Sequence, residues 1–257
     1  MSLRHLALSC VCVLALTACG GARLVRNAEP PQAAQALVVA SDARLAATLD
    51  FVIVRNGPGA WAKNAYWDEY LLRVKPVGEA AVTITDVVVV DSLGTGQHPA
   101  ANRKALVRGS KDVARRYRHT GLKVRAGMGG MAIVATGVGA GLTAGGVAAA
   151  GGGLMAPVAG AAAFMAVVPG FAVAGIVRGI NNRRVDGEIR KRQSRLPLQA
   201  VAGDETALDL FFPLAPSPQR IEIHYRDAAG AAHRLDIDTR PVLAGLHLAP
   251  SGAAGAP

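Results

Sequence analysis

The sequence predicts an α+β fold, an antiparallel β-sandwich that is interrupted by an inserted helical hairpin. Alternating apolar and polar residues, the pattern of half-buried strands, occur in two separate stretches, 45–99 and 200–248. Between them lies segment 126–177, which contains 14 glycines and no charged residue in 52 positions. A segment without charged residues is not expected on the solvent-exposed face of a sheet. We therefore assign it to a separate helical insertion.

Each of the two stretches holds three strand patterns, separated by glycine and proline. The predicted strands are 48–55, 69–75, 81–91, 206–212, 220–226 and 233–239. Neither stretch has enough strands to close a core alone, whereas together they match an immunoglobulin-like sandwich in size. We therefore expect one β-domain whose halves pair across the insertion.

The N-terminus reads as an export signal. In residues 1–18, Arg4 precedes an apolar run that is too short for a comfortable membrane span. The run ends in Leu-Thr-Ala-Cys at 16–19, which resembles the lipobox of bacterial lipoproteins. The resemblance implies diacylglycerol on the Cys19 sulfur and cleavage before Cys19. Gly20 resembles the residue that follows the cysteine in outer-membrane members, so we expect the outer rather than the inner membrane.

After cleavage the chain would keep one cysteine, blocked by lipid, and no disulfide is expected within it. The pair Pro30-Pro31 interrupts regular structure, so residues 19–44 are predicted to be a lipidated tether. Residues 249–257 are predicted to be a flexible tail. The β-domain would then face the periplasm.

Segment 126–177 is long enough for two spans of about 20 residues and a turn, so we predict a transmembrane helical hairpin there. Small residues recur at a spacing of four, which places them on one face of each helix, where two backbones can approach closely. These predicted helix-packing residues are Gly137, Gly141, Gly145, Ala149, Gly153, Ala162, Ala166, Gly170 and Ala174. The segment resembles the glycine-zipper segments of bacterial outer-membrane lipoproteins. A hairpin buried in protein and a flexible insert are the alternatives.

Basic residues flank the insertion on both sides, in a chain whose net charge is +10. Segment 100–125 carries nine Lys or Arg and one acidic residue, and segment 178–199 carries seven and two. We predict a basic helix in the first segment, and a basic helix followed by a linker in the second. The predicted membrane-surface residues are Arg115, Arg116, Arg118, Lys123, Arg125, Arg178, Arg183 and Arg184.

Anionic lipid head groups are the expected partner of these basic segments. Nucleic acid is not expected, because an exported lipidated protein seldom meets it and no aromatic residues interleave the charges. A solvated helical collar without a partner is the remaining interpretation.

No catalytic, cofactor or metal motif occurs in the sequence, so we expect no cofactor and no metal. The six histidines show no ligand spacing. Asp236 and Asp238 alternate along a strand and fit a solvated face better than a calcium site. Four aromatic residues cluster between two predicted strands and fit either the core or loop packing, or else a ligand groove or membrane-interface contact; they are Trp61, Tyr66, Trp67 and Tyr70.

These observations predict a non-enzymatic envelope lipoprotein, anchored by lipid at Cys19 and by the hairpin, with a structural or partner-binding role. Self-association or an envelope protein partner is compatible with it. The alternative is a pore-forming or membrane-perturbing protein that oligomerises through its glycine faces. An enzyme whose groove the sequence does not reveal is the third hypothesis.

Overall fold

The computed structural model describes residues 22–25, 36–127 and 170–249. These residues form eleven strands and three helices. The strands are β1 (Arg23–Leu24), β2 (Val38–Ser41), β3 (Leu45–Ile53), β4 (Ala62–Lys63), β5 (Asp68–Pro76), β6 (Val82–Val90), β7 (Gly96–Gln97), β8 (Leu198–Ala200), β9 (Thr206–Phe212), β10 (Arg220–Arg226) and β11 (Ala232–Asp238). The helices are α1 (Arg103–His119), α2 (Gly170–Arg192) and α3 (Arg240–Leu243).

The long strands form two antiparallel sheets. Sheet A has the order β2-β3-β5-β9, and sheet B has the order β11-β10-β6-β7, with β8 also paired to β6. Each sheet therefore joins strands from before and after the insertion: β5 pairs with β9, and β6 pairs with β10. A short third ladder pairs β1 with β4.

The two sheets share one hydrophobic core, which follows directly from the period of two in the strands. On β9, Leu208, Leu210 and Phe212 point into the core. On β10, Ile221, Ile223 and Tyr225 do the same from the opposite sheet. All six side chains are essentially inaccessible to water, and burial of each apolar side chain of this size contributes about 1.5–3 kcal/mol.

In two strands, β3 and β6, a bulge shifts the alternation of core-facing and outward-facing residues by one position. On β6 the core residues move from Val82 and Ile84 to Val87 and Val89, and the register with β10 shifts between them. On β3 the register with β5 shifts after Leu49. Asp50, at that shift, accepts two hydrogen bonds from the Arg73 guanidinium at 2.6 and 2.8 Å. The bulges explain why both strand patterns change phase in mid-course.

Helices α1 and α2 and the β1–β4 ladder form a layer on the outer face of sheet A, which we call the helical layer. Its own hydrophobic cluster contains Trp61, Trp67, Leu106, Ile189 and Phe211. The side chain of Phe211 reaches this cluster because it points away from the core that its neighbours on β9 fill. Sheet A is therefore covered on both faces.

The prediction of an immunoglobulin-like sandwich split by a transmembrane hairpin is wrong. None of the helices in the described residues is long and apolar enough to cross a membrane. Helix α2 continues through the predicted boundary at 177/178 and ends at Arg192, because its second half packs on protein through Val185 and Ile189. Most of segment 126–177 lies outside the described residues. What agrees with the sequence is the coarser statement that the chain is rich in β-strands, in two sheets compatible with a sandwich.

The predicted tether also differs from the structure. Ala22 is buried in the cluster of the helical layer, and β1 and β2 both lie within the range 19–44 that was predicted to be unstructured. The two-residue strand β1 is ordered by a partner distant in sequence, β4, which no local pattern reveals.

Two helical glycines test the packing of the helical layer. A Cβ atom on Gly109 would lie 2.6 Å from Pro213 Cγ, whereas a Cβ atom on Gly187 would meet nothing within 4 Å. Gly109→Ala should therefore destabilise the fold by about 1–3 kcal/mol through overpacking. Gly187→Ala should stabilise it by about 0.5–1 kcal/mol, because alanine favours the helix. Chemical denaturation followed by circular dichroism measures both, and changes of the same sign would contradict the packing.

Candidate functional site

Helix α1 has one buried face and one basic face. Leu106, Ser110, Val113 and Tyr117 recur every three or four residues and are buried. Side chains two positions before each of them point the opposite way. They form an exposed basic stripe of Lys104, Arg108, Lys111 and Arg115. The helix carries seven Lys or Arg and a single acidic residue, Asp112, which pairs with Arg115 at 3.1 Å.

Ser110 ties the buried face of α1 to the chain below it. Its hydroxyl donates to the Tyr66 carbonyl at 2.6 Å and accepts from the Leu214 backbone N–H at 2.9 Å. These contacts satisfy two backbone groups that a purely apolar helix face would leave unpaired. These hydrogen bonds therefore fix the position of α1 relative to the start of β5 and the end of β9.

Helix α2 is joined to α1 through a side-chain cap. The Asp186 carboxylate accepts from the Arg103 backbone N–H at 2.9 Å, at the positive end of the α1 dipole. Val185 and Ile189 are fully buried on the same side of α2. Arg183, Arg184 and Arg190 are exposed on the rest of its surface. The exposed faces of both helices are thus predominantly basic.

Strand β1 lies beside α2 and so belongs to the helical layer. Arg23 pairs with Lys63 of β4, and the Val25 N–H donates to the Trp61 carbonyl at 2.7 Å. Ala22, three residues after Cys19, is only 6 % exposed. The exposed residues of the ladder, Arg23 and Lys63, add positive charge to the layer.

A buried polar cluster fixes the C-terminal end of α2 to sheet A. Glu69 is 2 % exposed and accepts from Trp61 Nε1 at 2.5 Å. Arg192 lies over the Trp61 ring, with Cζ 5.0 Å from its centroid, and its NH1 atom is 3.6 Å from Glu69 Oε1. Its Nε donates to Glu188 at 2.8 Å. Arg192 therefore contacts an aromatic ring and two carboxylates at once.

Asp209 completes this cluster as a neutral acid. Glu69 pairs with Phe211 across the β5–β9 ladder, so Asp209 is its diagonal neighbour on the same face. Glu69 Oε1 and Asp209 Oδ1 are both buried acceptors without a donor among the described residues. Burial, together with the charge and hydrogen bonding of Glu69, raises the pKa of Asp209 to about 8, against a weaker opposing effect of Arg192. A proton on Asp209 would supply the donor that the two buried oxygens lack.

A second buried pair lies where the described chain breaks off before the insertion. His247 and Asp68 are both 0 % exposed, and His247 Nε2 is 2.6 Å from Asp68 Oδ2. The Gly127 N–H donates to His247 Nδ1 at 3.0 Å, so Nδ1 carries no proton and Nε2–H is the donor to Asp68. Gly127 has φ +73°, and a Cβ atom there would lie too close to the Arg55 carbonyl oxygen. The base of the insertion is therefore held at a defined point of the domain.

The structure divides the predicted membrane-surface residues into three groups. Arg115, Arg118, Lys123, Arg125, Arg183 and Arg184 are exposed, as expected. Arg116 is half-buried, with its NH2 atom 4.0 Å from buried Asp91, and is not a free surface charge. The side chain of Arg178 lies outside the described residues, as do Cys19 and the helix-packing residues from Gly137 to Ala166. Gly170 and Ala174 belong to α2, but their side-chain surroundings are not described.

Sequence reasoning counted Lys104, Arg108 and Lys111 among the basic residues of segment 100–125 but did not select them as membrane-surface residues. With Arg115 they form the basic stripe. The signal that could have found them was present, because the stripe has the same spacing as the apolar residues of α1 and is displaced from them by about half a turn. It also missed the polar cluster of Glu69, Asp209 and Arg192. No pattern in the sequence links these three residues, which come from two strands and a helix.

The other candidate groups have structural roles. Trp61, Trp67 and Tyr70 are buried in the two hydrophobic clusters. Asp238 accepts two hydrogen bonds from the Arg240 guanidinium, and Asp236 is paired with Arg234 at 3.0 Å. Within the described ranges, no group of three His, Cys, Asp or Glu residues is placed to hold a metal ion.

The protonated state of Asp209 predicts a definite dependence of stability on pH. The unfolded side chain titrates near 3.8 and the folded one near 8, so the folded chain holds an extra proton between these values. The free energy of unfolding should therefore fall as the pH rises from about 4 to about 8. Asp209→Asn supplies an N–H donor to Glu69 at every pH and should flatten this slope.

The matched control is Asp238→Asn on the exposed end of β11. Hydrogen bonds from Arg240 lower the pKa of Asp238, so it stays ionised throughout the same interval. Its substitution should leave the slope between pH 5 and 8 unchanged. Denaturant titrations at several pH values measure both variants, and a slope that Asp209→Asn does not reduce would contradict a neutral Asp209.

Comparison with known protein families, with curated proteins and with solved structures returns no match for this chain. Its function is therefore inferred from the geometry of its own residues.

Proposed function

We propose that this chain is a non-enzymatic, lipid-anchored protein of the bacterial cell envelope, whose helical layer lies against an anionic membrane surface. The observation that carries the proposal is the position of β1. A lipid on Cys19 would be separated from buried Ala22 by three residues, which span about 10 Å when extended. The anchor would thus keep the helical layer close to the bilayer rather than at the end of a long tether.

The charge of this layer supports the same orientation. Helix α2 carries six Lys or Arg against two acidic residues, one of which caps α1 while the other pairs with Arg192. Both acidic side chains are thus occupied by contacts inside the layer. Basic residues near an anionic membrane contribute about 1 kcal/mol each, and two acyl chains provide stable anchoring. Lipid and charge would act on one side of the molecule.

The buried polar groups support a binding role rather than catalysis. Glu69 and Asp68 are both at most 2 % exposed. Glu69 holds Trp61, and Asp68 holds His247, so each carboxylate orients a side chain of the scaffold. We propose that these residues keep the basic surface rigid and that the periplasm-facing side of the β-domain is available to an envelope partner.

The lipid anchor is tested by Cys19→Ser. Wild-type chain should incorporate a labelled fatty acid and fractionate with membranes. The variant should lose the label and retain residues 1–18, because cleavage at a lipobox follows lipid attachment. A labelled variant would contradict the anchor at Cys19.

The orientation is tested by removing charge from the basic stripe. In a chain that begins at Gly20 and so lacks both the signal segment and the lipid, Arg108→Gln with Lys111→Gln should weaken binding to vesicles that contain phosphatidylglycerol, by about 30-fold if each charge contributes about 1 kcal/mol. Arg226→Gln with Arg234→Gln, exposed residues of sheet B, form the control and should have little effect. Vesicle co-sedimentation gives the affinities, and equal losses in the two double variants would contradict an oriented surface.

A further inference from the structure

A groove lies at the C-terminal end of α2, beside the helical layer. It has a volume of about 440 Å³, within the range of small-molecule sites. Its apolar wall comes from Pro99, Ala101 and Leu196, and its polar rim from Arg190 and Arg195. One cavity therefore offers a hydrocarbon surface and two guanidinium groups.

The two arginines differ from Arg192, which lies between them in sequence. Arg192 is paired with Glu188 and faces Glu69 inside the polar cluster. The side chains of Arg190 and Arg195 are exposed, and neither guanidinium forms an ion pair or a hydrogen bond with another described residue. The groove thus holds two positive charges that the described part of the chain does not neutralise.

A third polar group points to a ligand with a hydrogen-bond donor. Gln193, on the groove wall, has a buried Oε1 acceptor for which the described ranges contain no donor. Its backbone N–H is already bonded to the Ile189 carbonyl at 2.9 Å, as the last turn of α2 requires. A hydroxyl group held in the rim could supply the hydrogen bond that the side chain lacks.

We propose that this groove binds one anionic phospholipid with a hydroxylated head group, of the phosphatidylglycerol type. The phosphate would accept hydrogen bonds from Arg190 and Arg195, a head-group hydroxyl would donate to Gln193, and the start of an acyl chain would lie on Pro99 and Leu196. The inference rests on the proposed function, since that orientation is what brings the groove to the lipid surface. It goes further by assigning a discrete site to one lipid, in place of diffuse attraction.

The test uses the purified full chain in non-ionic detergent and native mass spectrometry. Dioctanoyl phosphatidylglycerol should bind with a stoichiometry of one, and dioctanoyl phosphatidylcholine should bind at least about tenfold more weakly. Arg190→Gln with Arg195→Gln should weaken phosphatidylglycerol binding by about tenfold or more, because charge-assisted hydrogen bonds are lost. Arg183→Gln with Arg184→Gln removes the same charge from the same helix outside the groove, and should leave the single site intact.

Several outcomes would overturn the proposal. Equal binding of the two lipids, or equal losses in the two double variants, would mean nonspecific attraction. Competition by inorganic phosphate or by glycerophosphoglycerol at the concentration at which the lipid binds would mean that the apolar wall contributes nothing. Failure of the lipid site can be distinguished from failure of the proposed anchor, which is measured by fatty-acid labelling at Cys19. A chain that is not labelled at Cys19 but binds one phosphatidylglycerol would disprove the proposed function and keep the site, whereas a labelled chain without that selectivity would do the reverse.

Discussion

The buried contact of Glu69 with Trp61, Asp209 and Arg192 joins the two parts of this molecule. Glu69 belongs to β5 and Arg192 is the last residue of α2, so the contact spans the boundary between sheet A and the helical layer. A buried carboxylate is costly unless it is paired and hydrogen-bonded. Here an indole N–H, a protonated neighbour and a guanidinium share that task. Removing any one partner would leave a charge or an acceptor without compensation.

The positions of α2, α1 and β1 in the helical layer depend on this contact. With the end of α2 held in place, Asp186 can cap α1, and α1 presents its basic stripe away from the sheet. The same end of α2 forms the wall of the groove that we assign to an anionic lipid. Strand β1 lies against α2, so Arg23 and Leu24 are on the same side. The proposed anchor, the basic stripe and the groove would therefore lie close together, because one polar cluster orients one helix.

The His247–Asp68 pair performs a comparable role at the base of the insertion. It fixes Gly127 to the C-terminal loop through a hydrogen bond that only one tautomer of His247 can accept. The Lys123 carbonyl accepts from Ala249 at 3.0 Å, and the Arg125 N–H donates to the His247 carbonyl at 2.8 Å. The apolar insertion thus begins from a rigid point, and the C-terminal residues of the β-domain are part of its support.

Much of the strand content could be predicted, because a strand with one buried face has a period of two that depends only on its own residues. The strands at 206–212 and 220–226 have the predicted bounds. The bulges at Asp50 and near Asp86 were not predictable in this way, since a bulge is defined by the partner strand. The transmembrane interpretation failed for a related reason. The sequence predicts that a membrane helix ends at 177, where the apolar composition ends. In the structure, α2 continues past 177 into charged residues, among which Val185 and Ile189 pack on protein.

The candidate site shows the same division. Local sequence was sufficient to indicate the excess of basic residues and the amphipathic spacing of α1, because each depends on residues within a few turns of one another, whereas the lipobox stays a prediction. It could not reveal that burial beside Glu69 raises the pKa of Asp209, that Arg192 lies against Glu69, or that Arg190 and Arg195 line a groove. Those features need β5, β9 and α2 to meet. Charge and hydropathy are properties of single residues, whereas a raised pKa, a buried ion pair and a cavity exist only between residues that the folded chain has brought together.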